Sequence, residues 1–239
     1  MSYDEAWSVA TDSSGNIVVV GDYTGNPLNI YAADGSTVSF TLSKLGDQDA
    51  FVVKYDSSGT PLWARRMGTG TGTLSVLARS VSTDSSGNIV VVGFFTGTQA
   101  YIYNTGNTIS FVLTNSSPNG GDFVVKYDSS GTPLWARKMT GGDTQAYSVS
   151  TDSSGNIIVA GYYSSEINIF AANGNTVVFR LISAGSNDAF VVKYDSSGTP
   201  LLARRMTGTS SDSSLSASTD SSGNIVVAGQ YTSTSLGFY

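Results

Sequence analysis

The sequence predicts an all-β fold, on three observations. The phrase Thr-Asp-Ser-Ser-Gly-Asn occurs four times, with its aspartates at Asp12, Asp84, Asp152 and Asp220. The phrase Lys-Tyr-Asp-Ser-Ser-Gly-Thr-Pro-Leu occurs three times, from Lys54, Lys126 and Lys193, and alternates with the first. No segment carries the 3.6-residue apolar period of an amphipathic helix.

Each phrase reads as a β-hairpin. In the first, Ser8–Thr11 leads into the turn Asp12-Ser13-Ser14-Gly15-Asn16, and Ile17-Val18-Val19-Val20 follows. An unbroken β-branched run of that kind suits a strand buried on both faces. It ends in Gly21, with counterparts Gly93, Gly161 and Gly229, and glycine there points to a bulge or a close backbone approach. In the second phrase, Phe51–Tyr55 enters the turn Asp56-Ser57-Ser58-Gly59 and the chain returns through Pro61–Arg66. Aspartate and serine close such turns with their side chains, and glycine supplies the positive φ. Pro61 and the pair Arg65/Arg66 suit an outer edge strand, where charge opposes edge-to-edge pairing. A third hairpin lies between these two, as Asn29–Tyr31 with Val38–Phe40, Tyr101–Tyr103 with Ile109–Phe111, and Asn168–Phe170 with Val177–Phe179; its Asp-Gly and Asn-Gly turns are short-hairpin signals.

The four aspartates of the first phrase are spaced 72, 68 and 68 residues apart, so the unit is duplicated. A sheet that is apolar on both faces must stack on its siblings, radially as a propeller or linearly as a solenoid. The segments "SVATDSSGNIVVVGDYTG" and "DAFVVKYDSSGTPLWARRM" closely resemble the SBBP-type β-propeller repeat, and their strand, Asp-x-x-Gly turn, strand order is similar to the NHL repeat. The resemblance covers nearly the whole chain. It implies four-stranded blades with strand A near Ser8–Thr11, B at Ile17–Tyr23, C at Phe51–Tyr55 and D at Leu62–Arg66, with the third hairpin inserted between B and C. One domain over residues 1–239 is expected, with repeats near 6–72, 78–144 and 146–212 and a partial one at 214–239, about 3.5 in all. Such an array is incomplete, closes by oligomerisation, or has the inserted hairpins building blades of their own. Self-association is expected of it, because an open array exposes apolar blade faces.

Composition narrows the function. The chain of 239 residues has a net charge of −6, which disfavours nucleic acid as a partner. It contains neither Cys nor His, which removes thiolate chemistry and the commonest general base and metal ligand. No run approaches the ~18 consecutive apolar residues of a membrane-spanning helix. The first residues, Met1–Glu5, carry neither the basic nor the apolar segment of a secretion signal. Only 13% of residues are charged, about half the usual share of ~25%, and a neutral Ser/Thr/Asn/Gly/Tyr surface fits a cell-surface, extracellular or virion setting. No nucleophile elbow, phosphate loop or metal cluster is present, so no enzyme activity, cofactor or metal is expected.

In propeller geometry the A–B and C–D turns share one face, and the B–C insertions and D–A loops share the other. The turns are near-identical between copies, whereas the insertion face differs, so ligand contacts are expected there. Its aromatics are Tyr23, Tyr31, Phe95, Tyr101, Tyr103, Tyr163 and Phe170, which either pack the inserted hairpins or meet a protein or glycan. Asp49, Asp122 and Asp188 begin strand C and either cap local amides or share a cation. Lys54, Lys126 and Lys193 are expected as solvated partners of Asp56, Asp128 and Asp195, a pairing worth about 0–1 kcal/mol. Trp63 and Trp135, replaced by Leu202 in the third copy, read as packing anchors. The function indicated is a binding or display module, with a structural subunit of a larger surface particle as the alternative and a glycoside-type hydrolase behind both.

Overall fold

A computed structural model describes residues 3–70, 72–116 and 119–239. The first copy forms β1 (Asp4–Thr11), β2 (Ile17–Tyr23), β3 (Leu28–Tyr31), β4 (Val38–Leu42), β5 (Asp49–Tyr55) and β6 (Pro61–Gly68). The second forms β7 (Val76–Thr83), β8 (Ile89–Phe95), β9 (Gln99–Tyr103), β10 (Ile109–Thr114), β11 (Gly121–Tyr127) and β12 (Pro133–Gly141). The third forms β13 (Thr144–Thr151), β14 (Ile157–Tyr163), β15 (Glu166–Phe170), β16 (Val177–Ile182), β17 (Asp188–Tyr194) and β18 (Pro200–Thr207). The last contributes β19 (Asp212–Thr219), β20 (Ile225–Tyr231) and β21 (Gly237–Phe238). One short 3₁₀ turn, Thr105–Asn107, is the sole helical element among the described residues.

The antiparallel meanders β1-β2-β5-β6, β7-β8-β11-β12 and β13-β14-β17-β18 are the A, B, C and D strands of three blades, and β19-β20 is the A–B half of a fourth. The turns close as their chemistry dictates. Asp12 Oδ1 accepts from the amides of Ser14 and Asn16, and Asp56 Oδ1 from those of Ser58 and Thr60. Strand B has the predicted bounds. Strand A starts earlier, at Asp4, and strand D runs on to Gly68.

Blades stack face on face. Val18, Val20, Val52, Trp63 and Met67 of the first meet Ile89, Val91, Phe123, Val125 and Tyr127 of the second. Val90, Val92, Val124, Trp135 and Met139 of the second meet Ile157, Val159, Phe190, Val192 and Tyr194 of the third. Alternate residues of one strand thus serve opposite interfaces, as the unbroken apolar runs require. Inner strands are tied by hydroxyls: Ser8, Ser80 and Ser148 Oγ accept from the amides of Val81, Val149 and Ala217, one blade on. Among the described residues no ladder joins the first blade to the last.

The second and third inserted hairpins neither build separate blades nor stay within their own. β9-β10 pairs with β6, at Met67–Ile102 and Gly68–Tyr101. β15-β16 pairs with β12 through Met139–Ile169, and β21 with β18 through Met206–Phe238. β9-β10 and β15-β16 therefore cross to the preceding blade and extend that sheet, as β21 does on β18. The first insertion, β3-β4, remains a two-stranded sheet.

This crossing corrects the edge-strand reading of the arginines. Arg65 and Arg66 are only 8% and 2% exposed. Arg65 Nε donates to the Gly131 carbonyl of the next blade at 2.7 Å, and Arg137 Nε to that of Gly198 at 2.7 Å. Trp63 and Trp135 are the anchors expected, each donating its indole N–H across the interface to Ser129 and Ser196 carbonyls. The lysine pairing is also corrected. Lys54, Lys126 and Lys193 bond Asp12, Asp84 and Asp152 at 2.9, 2.9 and 3.0 Å, with little exposure. Asp56, Asp128 and Asp195 already accept from their own turns, and the adjacent A–B turn brings a second carboxylate beside the lysine.

Candidate binding surface

Every strand A carries a bulge at one position. In β1 the ladder skips from Ala6–Gly21 to Ser8–Val20, leaving Trp7 over, and the equivalent residues are Arg79, Tyr147 and Leu215. The opposite glycine permits this. A Cβ on Gly21 would sit 1.8 Å from the Glu5 carbonyl oxygen, and one on Gly93 1.9 Å from that of Leu77. The bulge lies in the first half of the strand, toward the insertion end, and re-aims one side chain per blade.

At this position the copies diverge. Trp7, Arg79, Tyr147 and Leu215 are each followed by an identical serine, at Ser8, Ser80, Ser148 and Ser216. The residue after the strand-B glycine diverges with them, as Asp22, Phe94, Tyr162 and Gln230. These side chains meet. Trp7 Nε1 donates to Asp22 Oδ1 at 2.6 Å, and Arg79 Nη1 reaches the same oxygen from the next blade at 3.0 Å. The Arg79 guanidinium lies 4.2 Å over the Trp7 ring and 5.2 Å from the Phe94 centroid. Tyr147 and Tyr162 pack with centroids 5.7 Å apart, and the Tyr147 hydroxyl donates to Gln145 Oε1. Trp7 and Leu215 are about half exposed. Burial pushes the Asp22 carboxyl above the usual range, against the hydrogen bond from Trp7 and the charge of Arg79. Burial, with Tyr147 and Asp143 beside it, raises the Tyr162 phenol.

The aromatics expected to meet a ligand divide into groups. Tyr23, Phe95 and Tyr163 are at most 1% exposed and pack the blade cores, which leaves them no face for a ligand. Tyr103 is buried beneath Arg66, whose guanidinium lies 3.9 Å over its ring, and Phe170 sits 4.6 Å from Lys138 Nζ. Tyr103 and Phe170 are therefore cation seats that hold an insertion to the preceding blade. Arg66 Nη1 also donates to the Ser43 carbonyl at 2.6 Å and Lys138 Nζ to that of Thr114 at 2.6 Å, so one cation joins two insertions. Tyr101 is partly exposed and Tyr31 is exposed. Among the seven, Tyr31 offers the most open surface.

The strand-C aspartates are fully buried, and each accepts at least one hydrogen bond from within the protein. Asp49 accepts from the Leu45 and Gly46 amides and from Arg66, Asp122 from the Ala146 amide of the next blade, and Asp188 from the Ala184 amide and the Thr207 hydroxyl. Burial lifts Asp122 well above the carboxylate range. Among the described residues no three acidic side chains gather as a cation cage.

No family model matches the chain. It is 31% identical over 191 residues to an uncharacterized WD repeat-containing protein of Acanthamoeba polyphaga mimivirus; the alignment covers 78% of this chain and 13% of that protein's length. A solved protein of unknown function from Bacteroides caccae aligns over 84% of this chain and 81% of its own, at 14% identity and a TM-score of 0.29, too distant to carry an argument. Strand content, blade meanders and the WD repeat-containing relative together support a β-propeller-like repeat protein. They do not single out the SBBP or NHL type.

The divergent bulge residues were within reach of the sequence. The signal is a position that varies between copies while its neighbours do not, and it is seen once the four strand-A segments are aligned on the glycine of strand B.

Proposed function

We propose that the chain is a non-catalytic protein-interaction scaffold whose partner sits over the insertion end of the inner strands, on the residues displayed by the bulges. The observation that carries this reading is the divergence of Trp7, Arg79, Tyr147 and Leu215 at one repeated, structurally demanding position. If stacking were their only role, the same residue would serve in every blade, as it does for the flanking serines. Trp, Tyr and Arg are also the residues that dominate protein interfaces, because they give broad contact with few freedoms to lose. The WD repeat-containing relative is consistent with a scaffold role. Tyr31 and Tyr101 extend the same end of the molecule outward.

Panning a random peptide-display library on the full chain, with a glycan array in parallel, tests the proposal. Peptides are expected whose affinity falls about tenfold or more with Trp7→Ala or Tyr147→Ala, the scale of an interface hot spot. Retrieval of glycans alone, or of peptides indifferent to both substitutions, would overturn it.

A further inference from the structure

Strand D places two cations side by side, Arg65 and Arg66 in β6 and Arg137 and Lys138 in β12. A cation drawn out of water is destabilised unless an opposite charge attends it. In β6 one of the two is attended, because Arg66 pairs with Asp49 at 3.3 Å. In β12 neither is. The counterpart of Asp49 is Asp122, which accepts from the Ala146 amide of the next blade at 2.8 Å and whose burial favours the neutral carboxyl. Lys138 donates to the Thr114 carbonyl at 2.6 Å, and Arg137 to the carbonyls of Ala136, Ser197 and Gly198. Among the described residues neither has a carboxylate within ion-pair distance. Burial lowers the Lys138 ammonium, and no neighbouring charge offsets it.

These two cations line a cleft of about 240 Å³ between the second and third insertions. The end of β10, Val112–Thr114, and the turn Asn173–Asn175 supply its other walls. The same construction recurs one junction earlier, where Arg65 and Arg66 line a cleft of about 280 Å³ with Thr41, Ser43 and the turn Asn104–Asn107. The crossing of the insertions therefore makes the cleft, and the unattended charge distinguishes the later one. Its polar groups are also partly unspent. Asn173 is used by its own turn, with Asn175 and Thr176. The Asn175 side-chain amide and the Thr114 hydroxyl make no bond among the described residues, and both residues are exposed. Lys138 keeps two of its three N–H donors. Val112 and Ala136 add apolar surface.

We propose that the cleft between the second and third insertions binds one acidic sugar unit, a ring of the uronic-acid type. Lys138 takes the carboxylate through charge-assisted bonds, Asn175 and Thr114 take ring hydroxyls, and the C–H face of the ring lies on Val112 and Ala136. Simpler ligands satisfy only part of this set. Phosphate leaves the apolar wall uncovered, a neutral sugar leaves Lys138 unattended, and an acidic peptide side chain brings nothing to Asn175 or Thr114. The cleft is smaller than the ~300–1,000 Å³ of sites for drug-sized ligands, which suits a single ring. It is separate from the bulge residues and independent of a protein partner there.

The probe is methyl β-D-glucuronide, titrated into the ¹⁵N-labelled full chain at constant ionic strength. Saturable shifts are expected at the amides of Val112–Thr114 and Asn173–Asn175. Methyl β-D-glucoside, sodium acetate and inorganic phosphate are each expected to bind at least tenfold more weakly. Lys138→Gln is expected to weaken the glucuronide at least tenfold. Asn175→Ala, on an exposed turn that folds without that side chain, is expected to weaken it several-fold, and it decides the matter if Lys138→Gln loses the folded spectrum. Absence of saturable shifts at millimolar ligand, shifts confined to other residues, or indifference to Asn175→Ala would overturn the proposal. So would acetate, phosphate or a tetraglutamate peptide matching the glucuronide, because the site would then read charge alone.

Discussion

The turn glycines allow the inter-blade clasp to be measured apart from backbone strain. Gly59 and Gly131 occupy the same place in successive C–D turns, with φ of +86° and +81°. Alanine at either position incurs the left-handed backbone cost of about 1–2 kcal/mol. The surroundings differ. A Cβ on Gly59 meets nothing within 4 Å, whereas one on Gly131 would come within 2.7–2.9 Å of three Trp63 ring carbons. Trp63 is 6% exposed, bonded to Ser129 and packed on Tyr127 at 6.4 Å, so it has little room to yield. Overpacking of this kind adds about 1–3 kcal/mol. Gly59→Ala is therefore expected to cost about 1–2 kcal/mol and Gly131→Ala about 2–5 kcal/mol. In a Trp63→Leu background, the arrangement the third blade carries at Leu202, the difference should shrink toward zero. Urea unfolding followed by circular dichroism gives the totals, and hydrogen exchange of β5 and β11 amides gives the local values, because stacked repeats need not unfold as one unit. Equal costs for the two glycines, or a difference that survives Trp63→Leu, would refute the clasp as described.

Two further outcomes follow from the buried charges. Arg79→Ala leaves Asp22, only 1% exposed, with less compensation, and should cost about 3–5 kcal/mol; adding Asp22→Asn should recover most of the loss in a double-mutant cycle read by thermal unfolding, and additive losses would contradict the pairing. Stability should also peak in mildly acidic solution. Burial opposes ionisation of Asp12, but hydrogen bonds from Asn16, Lys54 and the turn amides outweigh it and bring the carboxyl down to about 2, so its contribution is complete above the unfolded value near ~3.9 and is lost as pH falls through about 2. Asp84 and Asp152 shift the same way. Asp22, Asp49 and Asp122 shift upward through burial and bind protons more readily when folded, so stability rises as pH drops toward ~4. The melting temperature across pH 2–7 checks this; Asp122→Asn should blunt the rise, and a monotonic fall from neutrality would count against it.

The strands and their turns were legible because their causes are local. A β-branched run such as Ile89–Val92 and the Asp-x-x-Gly turns before and after it carry their own conformational preferences, and duplication shows them several times over. The bulge at Gly21 was legible for the same reason, since only glycine tolerates the Glu5 carbonyl so close. The partners of Lys54 and Arg65 were not. Lys54 has Asp56 two residues away in sequence and Asp12 across the sheet, and the lateral pairing of β2 with β5 gives it to Asp12.

The sequence by itself determined the repeating hairpins, the two-sided apolar strands and hence the need to stack. The tertiary structure alone decided that the second and third inserted hairpins leave their own blades and extend the one before, as β9 does on β6. It also decided that Tyr23, Phe95 and Tyr163 face inward while Trp7 and Leu215 face out. The physical reason is that a backbone edge accepts any strand of fitting register. Which edge a hairpin reaches, and which side chains its arrival covers, depends on the stacking distance between blades, and that distance is set by side chains tens of residues apart.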